Sequence, residues 1–508
     1  MSEVTMQSIQ LERRGPSYFG RAVVAVALFF GFYVMALALA GGLIWLPYAE
    51  LVYAHRIHPK LAFICLAGAF VILRGSLFVP GAKFEPPGPE IDARDEPKLF
   101  EVIERVANRL NTKMPAHVYL MSDVNAFVAE VGGFLGFGSQ RVMGIGVGLL
   151  NVDDVSQLEA TLAHEFGHFL GGDTRLGGFI YRTRAAIAGV LNGLGEGWLS
   201  KPFSMYARLF LRVTHKVSRA QELCADSASV LVAGTDAHIA SLRDETRGGV
   251  LYSSFLREEV APLVDQGHRP ENLFEGFREY VVELKAQNKL EKLDAALAET
   301  ETDPYDTHPA LPERIAYAEG LPRSVVNRDT QPARNLLRDP DRLERKLTER
   351  VAEGWDVPQR LTAVSWRDAP HKVYVPKLTK EAQEAAAAIR KAFGGEAGVE
   401  TATHTLIAKI QQMDAVMLAK RLEPEFQQAP DAELFEIAPH YISRTLGLVA
   451  GQSLVNSGGS WTTGVGRPHA VMHGNETLSI FEVALAVARR ENDGSALLAR
   501  LAASREEH

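Results

Sequence analysis

The segment TLAHEFGHFLGGD, residues 161–173, holds two histidines four positions apart, with a glutamate directly after the first. Residues four apart share one face of a helix, so His164 and His168 can offer their imidazoles to a single metal ion. Glu165 sits about a quarter-turn round, where it reaches a water held by the metal rather than the metal itself. Zinc brings the pKa of such a water towards ~7, and a carboxylate can then take its proton as attack begins. Leu162 and Phe169 place one face of the helix inward, which would equally suit an ordinary core helix.

A catalytic zinc takes three protein ligands and keeps one position open, and a histidine pair is often completed by a carboxylate. The candidate is Glu222 in SRAQELCADSAS, residues 218–229, with Asp226 four residues on and on the same helical face. Glu222 could bind the metal while Asp226 accepts the ring N–H of a ligand histidine and orients it. In isolation the pair would read as two solvated acids, but Leu223, Cys224, Ala225 and Ala228 argue for a packed helix. Cys224, two residues after Glu222, falls on the opposite side and reads as a small buried residue. A further histidine, His308 in DTHPALPERI, has its local chain restricted by Pro309 and could donate to the oxyanion of a tetrahedral intermediate. Alone, a histidine in such a turn is more often a surface residue.

These side chains need elements to hold them. A helix should start near Asp95, with Pro97 in its first turn and Leu99, Val102, Ile103, Val106 and Leu110 on one apolar face. His117–Met121 is a short strand, and Arg141–Leu150 reads as another, loosened by its glycines. The helix that carries the histidine pair should begin near Asp153 or Asp154. Residues 174–217 are apolar but interrupted by Arg182, Arg184, Arg208, Arg212 and Lys216, and read as amphipathic helices against the membrane or the domain. Beyond Gly320 the character changes, with Ala-rich helical stretches at Lys380–Phe393 and Thr401–Leu422. Asn456–Arg467 is Gly-rich and reads as a loop.

The N-terminus places the chain in a bilayer. Residues 22–49 contain no charge, more than the roughly 20 residues needed to cross. A second apolar run from Leu61 spans if Arg74 snorkels to an interface. The division is then a membrane anchor at 1–80 (spans about 22–46 and 61–79), a Pro/Gly linker at 81–94, a peptidase domain at 95–321 and a mostly helical region at 322–508. A net charge of −8 over 508 residues leaves no basic excess, so nucleic acid is not an expected partner. Two distant cysteines form no disulfide framework, in keeping with a reducing compartment.

Taken together, the chain resembles the HtpX and type I CAAX prenyl protease group of integral-membrane zinc metallopeptidases, which are gluzincins. The resemblance covers roughly Asp92–Leu321 and rests on ordered motifs: Asn125-Ala126-Phe127, Gly148-Leu149-Leu150, Ala163 to His168, Glu222 with Ala225-Asp226, and Thr307-His308-Pro309 followed by Glu313-Arg314-Ile315. It implies one zinc ion per chain on His164, His168 and Glu222, with Glu165 activating water. It also implies that Asp226 supports a ligand histidine and His308 stabilises the transition state. Asn125, Ala126 and Phe127 would line the substrate cleft, where an extended peptide pairs with a strand edge. Many HtpX-like proteins carry two further spans in the stretch equivalent to 174–217, which is too charged here to claim them.

The expected fold is mainly α with a small β-sheet. The expected function is a membrane-bound zinc endopeptidase acting on membrane-associated or misfolded proteins, in a bacterial inner membrane with its peptidase domain cytoplasmic. The alternative is a catalytically latent scaffold that binds peptides or partners through the same fold.

Overall fold

The computed structural model describes residues 16–78, 84–132, 138–170, 174–301, 309–323, 326–357, 360–396 and 398–506. Contacts divide the chain into two compact units, Met1–Tyr252 with Glu291–Arg350, and Ser253–Leu290 with Val351–His508. The fold is mainly helical with small sheets.

The first unit opens with helices α1 (Pro16–Ala54) and α2 (Pro59–Leu77). Val26–Ala54 and Pro59–Leu77 are the two stretches among the described residues long and apolar enough to cross a membrane. Phe30, Val34, Phe63 and Phe70 stand exposed on them, a surface suited to hydrocarbon rather than to water.

Strand β1 (Glu90–Ile91) and helix α3 (Pro97–Arg109) follow. Helix α3 starts at Pro97, whose missing N–H costs nothing in a first turn, and buries Leu99, Val102, Ile103 and Val106 as its spacing predicts. Strands β2 (His117–Met121), β3 (Ala126–Val131) and β4 (Gln140–Gly146) complete a sheet of order β1-β2-β4-β3. Strand β2 runs parallel to β4, and β3 pairs antiparallel with it. Strand β3 is therefore an edge. The strand expected over 141–150 ends at Gly146, and Val147–Val152 form helix α4 instead. The chain turns there because β2 offers no partner beyond Met121, and because Gly146 lies against carbonyls: an added Cβ would fall 1.9 Å from the Asp123 oxygen.

Helices α5 (Val155–Gly167), α6 (Thr174–Leu194), α7 (Lys201–Ala233) and α8 (Thr235–Phe255) follow, and α9 (Leu311–Gly320) returns to this unit. The charged segment 174–217 forms two long helices, as its amphipathic pattern suggests. Ala186, Ile187 and Val190 of α6 and Phe203 and Phe210 of α7 share one core with Phe32, Ala36 and Ala40 of α1 and Ala69 and Ile72 of α2.

The second unit is built around helices α10 (Val375–Phe393), α11 (Val399–Gln412), α12 (Ala415–Leu422), α13 (Asp431–Asn456), α14 (Ile480–Ala488) and α15 (Ser495–Glu506). Between α13 and α14 lies a three-stranded sheet of β5 (Ser460–Gly464), β6 (Arg467–His473) and β7 (Glu476–Leu478). The stretch expected as a Gly-rich loop is in fact the first hairpin of this sheet. Its turn uses Gly466 at φ +69°, and Trp461 of β5 is buried against α13, where Gly451 leaves room for the ring.

Candidate metal centre

Helix α5 begins with a capping box. The Asp154 carboxylate accepts from the Gln157 backbone N–H at 2.8 Å, and Gln157 Oε1 accepts from the Asp154 N–H at 2.8 Å. From that start the helix runs three turns to the histidine pair, almost wholly buried. Helix α7 packs along it at very close range. A Cβ on Gly167 would fall 2.9 Å from Ala225 Cα, so a glycine inside the histidine motif and an alanine between Glu222 and Asp226 let the backbones approach. The Ser229 hydroxyl pins the two helices by donating to the Ala160 carbonyl at 2.7 Å.

That approach brings His164, His168 and Glu222 together, with one donor atom from each lying within 4.8 Å of the others. His164 Nε2 is 3.4 Å from Glu222 Oε2, and His168 Nε2 is 3.8 Å from Glu222 Oε1. The two rings stand edge to face, centroids 4.9 Å apart. Two imidazole nitrogens and a carboxylate oxygen around a common point are the donor set of a tetrahedral site with one open position.

Behind this triangle sits Asp226, 0% exposed. Its Oδ1 lies 3.0 Å from His164 Nδ1, leaving Nε2 to face the metal position. Arg314 of α9 grips the same carboxylate through Nη2–Oδ1 at 2.6 Å and Nε–Oδ2 at 3.1 Å. Burial alone would raise the Asp226 carboxyl, but the hydrogen bonds from His164 and Arg314 hold it well below its ordinary value. Burial would likewise lower the His164 imidazole, yet its hydrogen bonds with Asp226 and Glu222 raise it to about 10. In the metal-free site these carboxylates favour the protonated imidazole. Burial raises Glu165 to about 7, with Glu245 and Glu222 adding to the effect and His164 and the Val128 backbone N–H opposing it. A carboxylate near 7 is poised to exchange protons at neutral pH.

The hydrogen bond from Val128 also places Glu165 beside strand β3. Of the residues expected to line a cleft there, Asn125 is exposed and accepts from the Ala126 N–H at 2.8 Å. Ala126 is buried, and the Phe127 ring lies over Gly144, where it would meet an added Cβ at 2.2 Å. His308 lies outside the described residues.

Residues 93–321 match peptidase family M48. This segment resembles an M48 peptidase domain of the HtpX kind. A relative named Protease HtpX homolog, from Pyrobaculum calidifontis, is 27% identical over 320 residues, which cover 56% of this chain and 87% of the relative. No solved structure matches significantly. M48 enzymes are metallopeptidases, and the His164–His168–Glu222 cluster falls inside the matched segment.

The candidate site contains two side chains that the motif reading assigned no role. Arg314 stands within a quoted motif, but a buried arginine looks like a surface one until its partner is seen. His238, 1% exposed on the first turn of α8, lies 3.5 Å from Asp226 Oδ1 through its Nε2. No local pattern marks it.

Proposed function

We propose that the protein is a membrane-anchored zinc endopeptidase in which His164, His168 and Glu222 hold the metal and Glu165 is the catalytic base. The observation that carries this reading is the convergence of the three donors beside an ionisable Glu165 on a strand edge. Bound there, zinc would polarise the scissile carbonyl and acidify the attacking water.

The protein's own residues do the rest. Glu165 accepts a proton from the attacking water on a carboxylate oxygen and passes it to the leaving amine nitrogen. Asp226 fixes the His164 ring so that Nε2 points at the metal. The open edge of β3 would take an extended substrate backbone, as β-strand addition does elsewhere, with Asn125, Ala126 and Phe127 at its start. His308, three residues before α9, would donate to the oxyanion.

Helices α1 and α2 would anchor the enzyme, with the peptidase domain on the cytoplasmic face of a bacterial inner membrane. Arg13, Arg14 and Arg21 before the first span and Arg74, Lys83 and Arg94 after the second, against Arg56 and Lys60 between them, support that side. Membrane-associated or misfolded proteins are then the substrate class within reach.

Metal content and casein cleavage of detergent-purified protein test the reading, wild type beside Glu165→Gln. Near-stoichiometric zinc is expected in both, with turnover reduced roughly 10²–10⁴-fold in the variant. Zinc in neither protein after reconstitution overturns the metal assignment, and equal cleavage by both overturns the role of Glu165.

A further inference from the structure

We propose that His238 is a positioning residue of the metal centre, holding the Asp226 carboxylate against His164 and so fixing the ring that faces the metal. The inference rests on the reading of His164, His168 and Glu222 as ligands.

The geometry carries it. His238 is buried at the start of α8, and among the described residues its Nε2 makes no hydrogen bond. That nitrogen points at Asp226 Oδ1 from 3.5 Å. A buried ring nitrogen without a partner costs stability, whereas an apolar side chain in the same volume would not. The neighbouring junction of α5, α7 and α8 is filled by small apolar residues, Ala160, Ala233 and Ala237. Three groups face it from the surrounding elements: Asp226 of α7, His164 of α5 and Arg314 of α9. Burial, with His164 and Arg314 adding to it, lowers the imidazole to about 3, so His238 is neutral and can keep one N–H directed at Oδ1.

What this does follows from counting lone pairs on Asp226. A carboxylate has about four acceptor sites. Arg314 uses one on each oxygen and His164 Nδ1 the second on Oδ1, so His238 meets Oδ1 as an ion–dipole contact at 3.5 Å rather than through an unused lone pair. The strong bidentate grip of Arg314 pulls the carboxylate towards α9. His238 approaches Oδ1 from α8, and keeps that oxygen within reach of His164. Without it, the carboxylate is free to settle onto Arg314, and the His164 ring loses the partner that fixes its tautomer.

The test measures zinc affinity by competition with a chromogenic chelator on full-length, detergent-purified protein, together with the melting temperature of the metal-free form. His238→Leu is expected to weaken zinc binding about 10-fold or more. His238→Gln, whose amide can still donate towards Oδ1, should recover most of the loss, while both variants melt alike without metal. Should His238→Leu not fold, His238→Asn, polar but too short to reach Asp226, must show the same weakening. Wild-type zinc affinity in His238→Leu or His238→Asn overturns the inference. So does a fall in metal-free melting with zinc affinity unchanged, which would mean a packing role alone. A wild-type protein that takes up no zinc overturns the metal site itself, an outcome distinct from a wild type that binds zinc and a variant that matches it.

Discussion

The two units bury different chemistry. In the second, the core is a run of Leu, Ile, Val and Ala side chains from α10 to α15, closed by Trp461. In the first, every buried carboxylate or imidazole among the described residues is found: Glu96, Asp153, Glu159, His164, Glu222, Asp226, His238 and Glu344. Burying a charge is unfavourable unless it is paired, and the first unit pairs several, as in Arg314–Asp226 and Arg334–Glu344. The second unit is held chiefly by apolar burial. The first accepts desolvation to fix a few polar atoms in place.

This contrast predicts how each unit breaks. Arg314→Ala removes the bidentate partner of a wholly buried carboxylate and should cost about 3–5 kcal/mol, with zinc retention lost alongside. Leu446→Ala, at a wholly buried position of α13, should cost about 2–5 kcal/mol through the cavity it leaves. Denaturant melts would show comparable losses, but only the first variant should lose metal and casein cleavage. If Leu446→Ala released zinc as readily, the division of labour between the units would be wrong.

Acid–base behaviour sharpens the same contrast. Without metal, His164 is raised to about 10 from an unfolded value near ~6.5. Its contribution is fully present below ~6.5 and is lost as pH rises through about 10, a change of a few kcal/mol. Asp226 has the opposite sign: its contribution is present above the unfolded value of ~3.9 and is lost as pH falls through its depressed folded value. Zinc bound at His164 would displace its proton. At pH 8.5, where Glu165 has already ionised, metal uptake should therefore release about one proton. Calorimetry in buffers of different ionisation enthalpy counts it, and a count of zero would contradict a protonated His164.

Much of this site was legible because its signals are local. The spacing of His164 and His168, the adjacent Glu165 and the Glu222–Asp226 pair each lie within one helical turn or two. The capping residue Asp154 and the Pro97 start of α3 are equally local. What was not legible depends on partners far away in the chain. Nothing near Arg314 announces that it will meet Asp226, 88 residues earlier. His238 looks like any histidine on an amphipathic helix. The β5–β6 hairpin was hidden because Ser460, Thr462, Thr463 and Gly464 are small and polar, and only Trp461 shows which side faces inward. The boundary between units at Ser253 falls inside the continuous helix α8, so composition does not change there. Similarly, α6 and α7 carry too many arginines to read as companions of the apolar α1 and α2, and their shared core comes from a few positions on one face.

The smallest expected effect tests how locally the metal helix is specified. Asp154 caps α5 and also accepts from Arg328 at 2.8 Å. Asp154→Ala should cost ~1 kcal/mol, the usual loss for an N-cap. The ion pair adds little, because Arg328 is well exposed and solvent screens it. The histidines lie more than two turns further along, in a stretch pinned independently by Ser229 to Ala160 and by the Thr161–Ser241 hydroxyl pair at 2.9 Å. Fraying confined to the first turn should therefore leave zinc affinity within about twofold of wild type, because end effects fade within a turn. A loss comparable to that expected for His238→Leu would mean that the ligands are held by the start of α5, not by the packing of α7 and α8 along it.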